Sequence, residues 1–241
     1  MFKEPDRRRI YLLRHAEAAY LKADGTPVAD TRLAGLTTDG EAQARVQAQA
    51  LAGVEFDRAV CSGFARTRAT AGFVLAGRAK PPLEIVPALE EIRGGDRGQR
   101  IVDMEAWIAH VANPWADAAR PDGRFLGGET FAEFGGRVLP AYEDLVRDSS
   151  WRTLLIVAHG GVNRVILNHV MNLPWQGAVG IEQDACCINV IDVDSEDGRV
   201  VRHLVRGINI TAYNVSKHGI VLTDMEKTAQ RFAALLPTRA P

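Results

Sequence analysis

The chain has 241 residues, of which 46% are hydrophobic and 24% are charged, and its formal net charge is −1. This balance is typical of a globular protein and lacks the basic excess of most nucleic-acid binders. No apolar stretch follows the N-terminal charges as in a secretory signal, and none approaches the roughly 18–20 residues that span a bilayer. We therefore expect a cytoplasmic protein without a nucleic-acid or membrane partner.

Segments typical of strands alternate with segments typical of helices. Ala42, Val46 and Ala50 recur every four residues, and Thr38 with Glu41 fits a capping box at the start of that helix. Such alternation predicts a three-layer α/β/α fold with a mostly parallel central sheet. The predicted strands cover residues 10–13, 58–61, 83–86, 153–158, 187–193 and 200–205, and the predicted helices cover 38–52, 64–76, 161–172 and 224–235.

Two segments interrupt this alternation. Residues 19–35 form a predicted long loop, and residues 92–140 form a larger insertion, with predicted helices at 100–112 and 129–147. Long loops within a compact domain are usually functional or mobile, and both segments follow the carboxyl ends of strands. We therefore predict one domain over residues 1–241, with the insertion over the active site.

The three cysteines and the basic run Arg7-Arg8-Arg9 carry little functional signal. Cys61, Cys186 and Cys187 fit neither a disulfide framework nor a metal-binding spacing, so we expect them in or near the core and expect no metal site. The three arginines precede the first predicted strand, and we interpret them as a solvated flank.

Polar residues follow the predicted strands at comparable places. Arg14 and His15 follow the first strand, Arg66 opens the helix after the second, Glu91 follows the third, and His159 precedes Gly160 after the clearest buried strand. Each alone is more often a surface or ion-pair residue, and a second Arg-His pair occurs at 202–203. Together they would share the edge of the sheet where ligands bind. Cationic side chains, histidines and helix N-termini at one edge predict a phosphoryl site.

Six short motifs surround these residues in order. They are LLRHAE at 12–17, LTTDGEAQA at 36–44, Ser62 with Arg66 and Thr70-Ala71, LEEIRGG at 89–95, GET at 128–130 with Arg137, and VAHGG at 157–161. In combination they resemble the motifs of the histidine phosphatase superfamily, which includes the cofactor-dependent phosphoglycerate mutases.

The resemblance implies a phosphoglycerate mutase-like fold and a metal-independent phosphatase without a cofactor. His15 would attack phosphorus and become a phosphohistidine. Arg14, Arg66, His159 and Gly160 would bind the phosphoryl group of a small-molecule phosphate monoester. Glu91 would protonate the leaving alkoxide and then accept a proton from water. Dimers are common in this fold, so the resemblance allows a homodimer, although the sequence carries no strong interface signal.

The chain departs from the family pattern in ways that leave the reaction and substrate open. Ala16 stands where the family most often has Gly, which keeps a weakly active phosphate-binding regulatory protein as an alternative. The second alternative is mutase-type phosphoryl transfer. Hydrolysis is favoured over it, because residues 17–35 do not resemble the corresponding stretch of the mutases. Arg93, Arg97 and Arg100 in the insertion are candidates for binding a second acidic group of the substrate, although each fits solvated surface charge as well.

Overall fold

The computed structural model of the protein describes residues 4–20, 26, 28–79, 81–95 and 103–234. Within these ranges, six strands are accompanied by seven α-helices and two short 3-10 helices. The strands are β1 (Asp6–Arg14), β2 (Arg58–Cys61), β3 (Leu83–Ile85), β4 (Thr153–Ala158), β5 (Ile188–Glu196) and β6 (Arg199–Ile210). The α-helices are α1 (Thr38–Ala50), α2 (Ala65–Leu75), α3 (Met104–Ala112), α4 (Phe131–Arg147), α5 (Gly160–Val170), α6 (Gly177–Gly180) and α7 (Asp224–Ala233).

The strands form one sheet in the order β3-β2-β4-β1-β5-β6. The first four are parallel, and β5 and β6 add an antiparallel hairpin at the β1 side. Arg14 at the end of β1 lies opposite Ala158 at the end of β4, and Cys61 at the end of β2 lies opposite Val157. The residues that follow these three strands therefore emerge side by side, as the sequence predicted.

The core lies on both faces of the sheet. On β1, Ile10 and Leu12 face a cluster that includes Phe134 and Val138 of α4, whereas Leu13 faces the opposite cluster under α1 and α2. All of β4 after Thr153 is fully buried. A continuous apolar run is what a parallel strand covered on both faces requires. The predicted three-layer α/β/α fold is confirmed.

The first strand is longer than predicted, and the interpretation of Arg7-Arg8-Arg9 as a solvated flank is wrong. These residues lie inside β1. Arg7 and Arg9 each pair with an aspartate of β5, namely Asp194 and Asp192. Arg8 is 3% exposed and lies 4.5 Å from the centre of the Trp151 ring. The charges are tolerated in the sheet because carboxylates, carbonyls and an aromatic face satisfy them.

The insertion contributes α3 and most of α4, and α3 packs against α7 near the C-terminus. The Trp107 ring of α3 contacts the Phe232 ring of α7 edge to face, with centroids 4.8 Å apart. The part of the predicted 100–112 helix before residue 103 lies outside the described residues. None of the helices in the described ranges is sufficiently long and apolar to span a membrane.

Candidate active site

His15 lies at the carboxyl end of β1 and is 3% exposed. Its Nδ1 lies 2.7 Å from the Ala16 carbonyl oxygen, and this contact requires Nδ1 to carry the proton. Burial, followed by the charges of Arg66 and Arg14, lowers the pKa of His15 well below its ordinary value. The imidazole is therefore neutral at neutral pH, with its lone pair on Nε2.

Arg66 in the first turn of α2 connects the two histidines. Its Nε donates to His15 Nε2 at 3.1 Å, and its Nη2 lies 3.3 Å from His159 Nδ1. Its Nη1 donates to the Thr31 carbonyl at 2.7 Å, and its guanidinium lies 4.7 Å from the centre of the Phe64 ring. A buried cation thus stands directly beside the histidine nitrogen that carries the lone pair.

His159 follows β4 and is the N-cap residue of α5. Its Nε2 lies 2.8 Å from Ser62 Oγ, and its ring centroid lies 5.2 Å from that of His15. Since Arg66 can only donate, Nδ1 of His159 accepts and Nε2–H donates to Ser62. Burial, together with His15 and Arg66, lowers the pKa of His159 well below its ordinary value.

Arg14 and the N-terminus of α5 add positive character to the same place. A Cβ placed on Gly160 would lie 3.4 Å from Arg14 Nε, so the guanidinium lies against the first residue of α5. Helix N-termini present free N–H groups and partial positive charge. Two guanidinium groups and a helix start therefore form a site suited to an anion.

Glu91 reaches this helix start from the segment after the 3-10 helix Pro87–Leu89. Its carboxylate accepts from Gly161 N at 3.1 Å and from Ile92 N at 3.0 Å. A Cβ on Gly161 would lie only 2.3 Å from Glu91 Oε1. Glycine at position 161 therefore leaves the room that the Glu91 carboxylate needs at the start of α5, where His159 is the N-cap.

Arg137 of α4 holds the backbone that carries Glu91. Its guanidinium donates to the carbonyls of Ala88, Glu90 and Glu91 at 2.7–2.9 Å and pairs with Glu129 at 2.8 Å. The GET motif and Arg137 therefore form a brace between the insertion and the site. The sequence placed these residues in a motif but gave them no role.

The LTTDGEAQA motif fixes the loop that follows His15. The cap of α1 is Thr37, which accepts from Gly40 N at 2.9 Å, so the predicted capping box of Thr38 with Glu41 is wrong by one residue. A Cβ on Gly40 would lie 2.1 Å from the Glu17 carbonyl oxygen. Gln43 Oε1 accepts from Glu17 N at 3.1 Å. The motif therefore holds the chain just beyond the histidine against α1.

Ala16 fits this arrangement without a conflict. It is fully buried and packs in a small cluster with Ala44 and Cys186, and its N–H donates to Thr70 Oγ1 at 3.0 Å. Its backbone angles also lie outside the left-handed region that favours glycine. The methyl group thus has a defined place in the core.

Of the three candidate specificity arginines, the structure describes Arg93. The Arg93 side chain is 67% exposed and lies 3.5 Å from Glu90. Arg97 and Arg100 lie outside the described residues. A cavity of about 370 Å³ does open beside Ser62 and Phe64, where Arg32 and Arg68 also line it. Arg32 and Arg68 could not be predicted as neighbours, because they come together only in the fold.

In the part of the chain that the structure describes, no group of three or more His, Cys, Asp or Glu side chains is placed to hold a metal ion. The side-chain groups that meet at the start of α5 are two imidazoles, two guanidinium groups and a carboxylate. Fold and site together define an α/β protein with a site suited to an anion at the carboxyl edge of its parallel strands.

Comparison with known proteins identifies the family. Residues 10–205 match the Histidine phosphatase superfamily (branch 1), and the chain belongs to that family. It is 30% identical over 195 residues to the adenosylcobalamin/alpha-ribazole phosphatase of Salmonella typhimurium, covering 77% of this chain and 90% of the relative. It is 27% identical over 196 residues to a probable phosphoglycerate mutase GpmB of Serratia proteamaculans, covering 76% and 84%.

Solved structures agree with the sequence relatives. The alpha-ribazole phosphatase of Shigella flexneri is 27% identical, with a TM-score of 0.66 over 83% of this chain and 96% of that one. The mycobacterial glucosyl-3-phosphoglycerate phosphatase, at 22% identity, shares the fold with a TM-score of 0.67 over 84% and 99%. The predicted family is confirmed, and its named phosphatases agree with the predicted reaction class.

Proposed function

We propose that this protein hydrolyses a small phosphate monoester through a phosphohistidine at His15. The observation that carries the proposal is the pair of contacts of the His15 ring: Nδ1 lies on the Ala16 carbonyl oxygen, and Nε2 accepts a hydrogen bond from Arg66 Nε. An unprotonated imidazole nitrogen is a competent nucleophile for phosphorus. The guanidinium group beside it supplies the charge that a phosphoryl group needs.

The first step forms the N–P bond and breaks the P–O bond of the ester. His15 Nε2 attacks phosphorus in line with the leaving oxygen, and Glu91 in its acid form gives that oxygen a proton. Arg14, Arg66, His159 and the Gly160 N–H stabilise the negative charge on the phosphoryl oxygens. The alcohol then leaves.

The second step reverses these roles. Water attacks the phosphohistidine, Glu91 as carboxylate accepts the water proton, and the N–P bond breaks with its electron pair returning to His15 Nε2. Orthophosphate leaves, His15 is again neutral, and Glu91 is again an acid. The proposal uses no metal and no cofactor, because the guanidinium groups and the helix N-terminus supply the electrostatic stabilisation.

The direct test is hydrolysis of p-nitrophenyl phosphate by the full chain in the presence of EDTA. We expect turnover that His15→Ala abolishes. We also expect that rapid quenching of the reaction traps an acid-labile phosphoenzyme, which the variant does not form. Turnover that survives His15→Ala, or that EDTA removes, would contradict the proposal. A folded protein without turnover on a broad panel of phosphate esters would favour the phosphate-binding regulatory protein.

The natural ester is best sought among the substrates of the relatives. The alpha-ribazole phosphatases share up to 30% identity with the chain, which makes alpha-ribazole 5′-phosphate the first compound to test. Arg93, Arg97 and Arg100 remain candidates for a second acidic group, as do Arg32 and Arg68 at the cavity. Each of these arginines can be changed singly to methionine. A change that raises KM for an ester with two acidic groups, but not for an ester with one, would identify an arginine that binds the second group.

Mutase-type phosphoryl transfer is the second candidate, because relatives named phosphoglycerate mutases also match the chain. Its test is interconversion of 2- and 3-phosphoglycerate stimulated by 2,3-bisphosphoglycerate. Stimulated interconversion faster than hydrolysis would replace our proposal. Hydrolysis without interconversion would support it.

Four further predictions complete the proposal. We infer one domain over residues 1–241 with the 92–140 insertion over the active site, a cytoplasmic location, no nucleic-acid partner, and a homodimer. Light scattering of the purified chain tests the dimer. Limited proteolysis with and without phosphate tests the insertion, because a covering segment should be protected by the ligand.

A further inference from the structure

Asp224 brings a carboxylate to the site from a part of the chain that the family match does not reach. The match ends at residue 205, and Asp224 is the first residue of α7. Its Oδ2 lies 2.5 Å from Arg14 Nη1, and its Oδ1 lies 3.3 Å from Lys227 Nζ. Burial raises the pKa of Asp224, but Arg14 and Lys227 outweigh burial and lower it below its ordinary value. The carboxylate is therefore ionised at neutral pH.

The contacts divide the Arg14 guanidinium into a held side and an available side. Nη1 donates both to Asp224 and to the Gln183 carbonyl. Nε is buried, has no hydrogen-bond partner among the described residues, and lies beside Gly160 at the start of α5. A buried N–H without a partner is costly, so an acceptor is expected there. Phosphoryl oxygens at the α5 N-terminus would supply it.

We propose that Asp224 is a positioning residue that holds Arg14 by Nη1, so that the Nε edge faces the phosphoryl group. The inference rests on the proposed function. The Nε–Nη2 edge, whose Nε lies beside Gly160, is one of the two guanidinium edges that can bind an anion in the bidentate mode, and a carboxylate that competed with phosphate there would occupy it. Asp224 contacts Nη1 instead and leaves Nε without a partner.

The fold fixes Asp224 in this role from two directions. Thr223 caps α7 in a reciprocal capping box with Glu226, which sets the direction of the first turn. At the other end of the helix, Phe232 packs on Trp107 of the insertion. The insertion is thereby connected through α7 to a phosphate-binding arginine.

The test uses the full-length Asp224→Asn variant, which keeps the size of the side chain and removes its charge. We expect inorganic phosphate to bind about 10-fold more weakly by titration calorimetry, since a charge-assisted hydrogen bond on Arg14 is lost. The value of kcat/KM for p-nitrophenyl phosphate should fall by a similar factor. The matched control is Asp144→Asn, which removes an exposed carboxylate paired with Arg147 and should change neither quantity.

A double variant separates positioning from a general effect on the fold. In an Arg14→Ala background, Asp224→Asn should change phosphate binding by less than twofold, because the group through which it acts is absent. Tighter phosphate binding by Asp224→Asn would show competition and overturn the inference, and so would unchanged binding. The two proposals can fail separately. If Asp224→Asn weakens phosphate binding as expected but the wild-type chain hydrolyses no ester, the proposed function is refuted and the positioning role of Asp224 stands.

Discussion

Gly161→Ala tests the proposed general acid with little disturbance of the fold. The added Cβ would lie 2.3 Å from Glu91 Oε1, far inside contact distance, and 3.3 Å from Trp115 Cη2. The first clash is with the end of a flexible side chain, so the carboxylate swings away and loses its bond to Gly161 N. Alanine also stabilises a helix by about 0.5–1 kcal/mol relative to glycine, so stability should stay within about 1 kcal/mol of wild type.

The kinetic effect should depend on the leaving group. General acid catalysis contributes about 10²–10⁴-fold, and it matters most when the departing alkoxide is a strong base. We therefore expect kcat for an alkyl phosphate to fall by about 100-fold or more, and kcat for p-nitrophenyl phosphate to fall much less. Glu91→Gln should show the same selectivity, and the double variant should lose little beyond either single one, because both remove one function.

Steady-state kinetics on the two esters and denaturant unfolding provide the measurements. Gly72→Ala is the matched control, since a Cβ at this exposed position of α2 meets no atom within 4 Å beyond its chain neighbours and the backbone of its own helix. It should leave both rates unchanged. Equal losses on both esters by Gly161→Ala, or full activity on the alkyl ester, would refute the role assigned to Glu91.

Three further predictions concern stability. Gly40→Ala would place a Cβ 2.1 Å from the Glu17 backbone oxygen, so it should lower the free energy of unfolding by about 1–3 kcal/mol. An unchanged denaturant midpoint would disprove the close contact. Ala16→Gly should cost about 1 kcal/mol without raising kcat, because its methyl is packed in the core; a gain in kcat would reveal crowding at the site. His15 and His159 have folded pKa values well below the unfolded value, so the unfolded state binds more protons and stability falls as pH drops through about 6.5. Each histidine should account for up to about 1.4 kcal/mol between pH 7.5 and 5.5, and the His15→Ala variant should lose correspondingly less; equal losses in both proteins would contradict the assignment.

The central sheet and the histidine pair were predictable from the sequence because both depend on local patterns. Alternation on β1 sends Ile10 and Leu12 to one face and Leu13 to the other, and the apolar run of β4 requires burial on both sides. Parallel neighbours must end at one edge, so Arg14, His15 and His159 had to meet there. The identical dipeptide at 202–203 lies within β6, where Arg202 pairs with Asp194 and serves the sheet.

The remainder depends on contacts that no local pattern records. Helix α7 was predictable as a helix, but its contacts with α3 and with Arg14 join residues that are far apart in the sequence. The brace from Arg137 to the segment of Glu91 likewise depends on how α4 crosses that segment. The burial of Arg8 under Trp151 was missed for the same reason, because three adjacent arginines suggest solvent until their partners are known.

The contacts of His15 also bear on how the proposed nucleophile is held before a substrate binds. Arg66 Nε donates directly to His15 Nε2, so the lone pair that would attack phosphorus is engaged in a hydrogen bond. Protonating His15 or His159 would place a third positive charge beside Arg14 and Arg66, and burial opposes that as well. An anionic phosphoryl group is a stronger acceptor for Arg66 than a neutral nitrogen. Under the proposed mechanism, a bound phosphoryl group would draw the guanidinium donors to its oxygens and so release His15 Nε2 for attack on phosphorus.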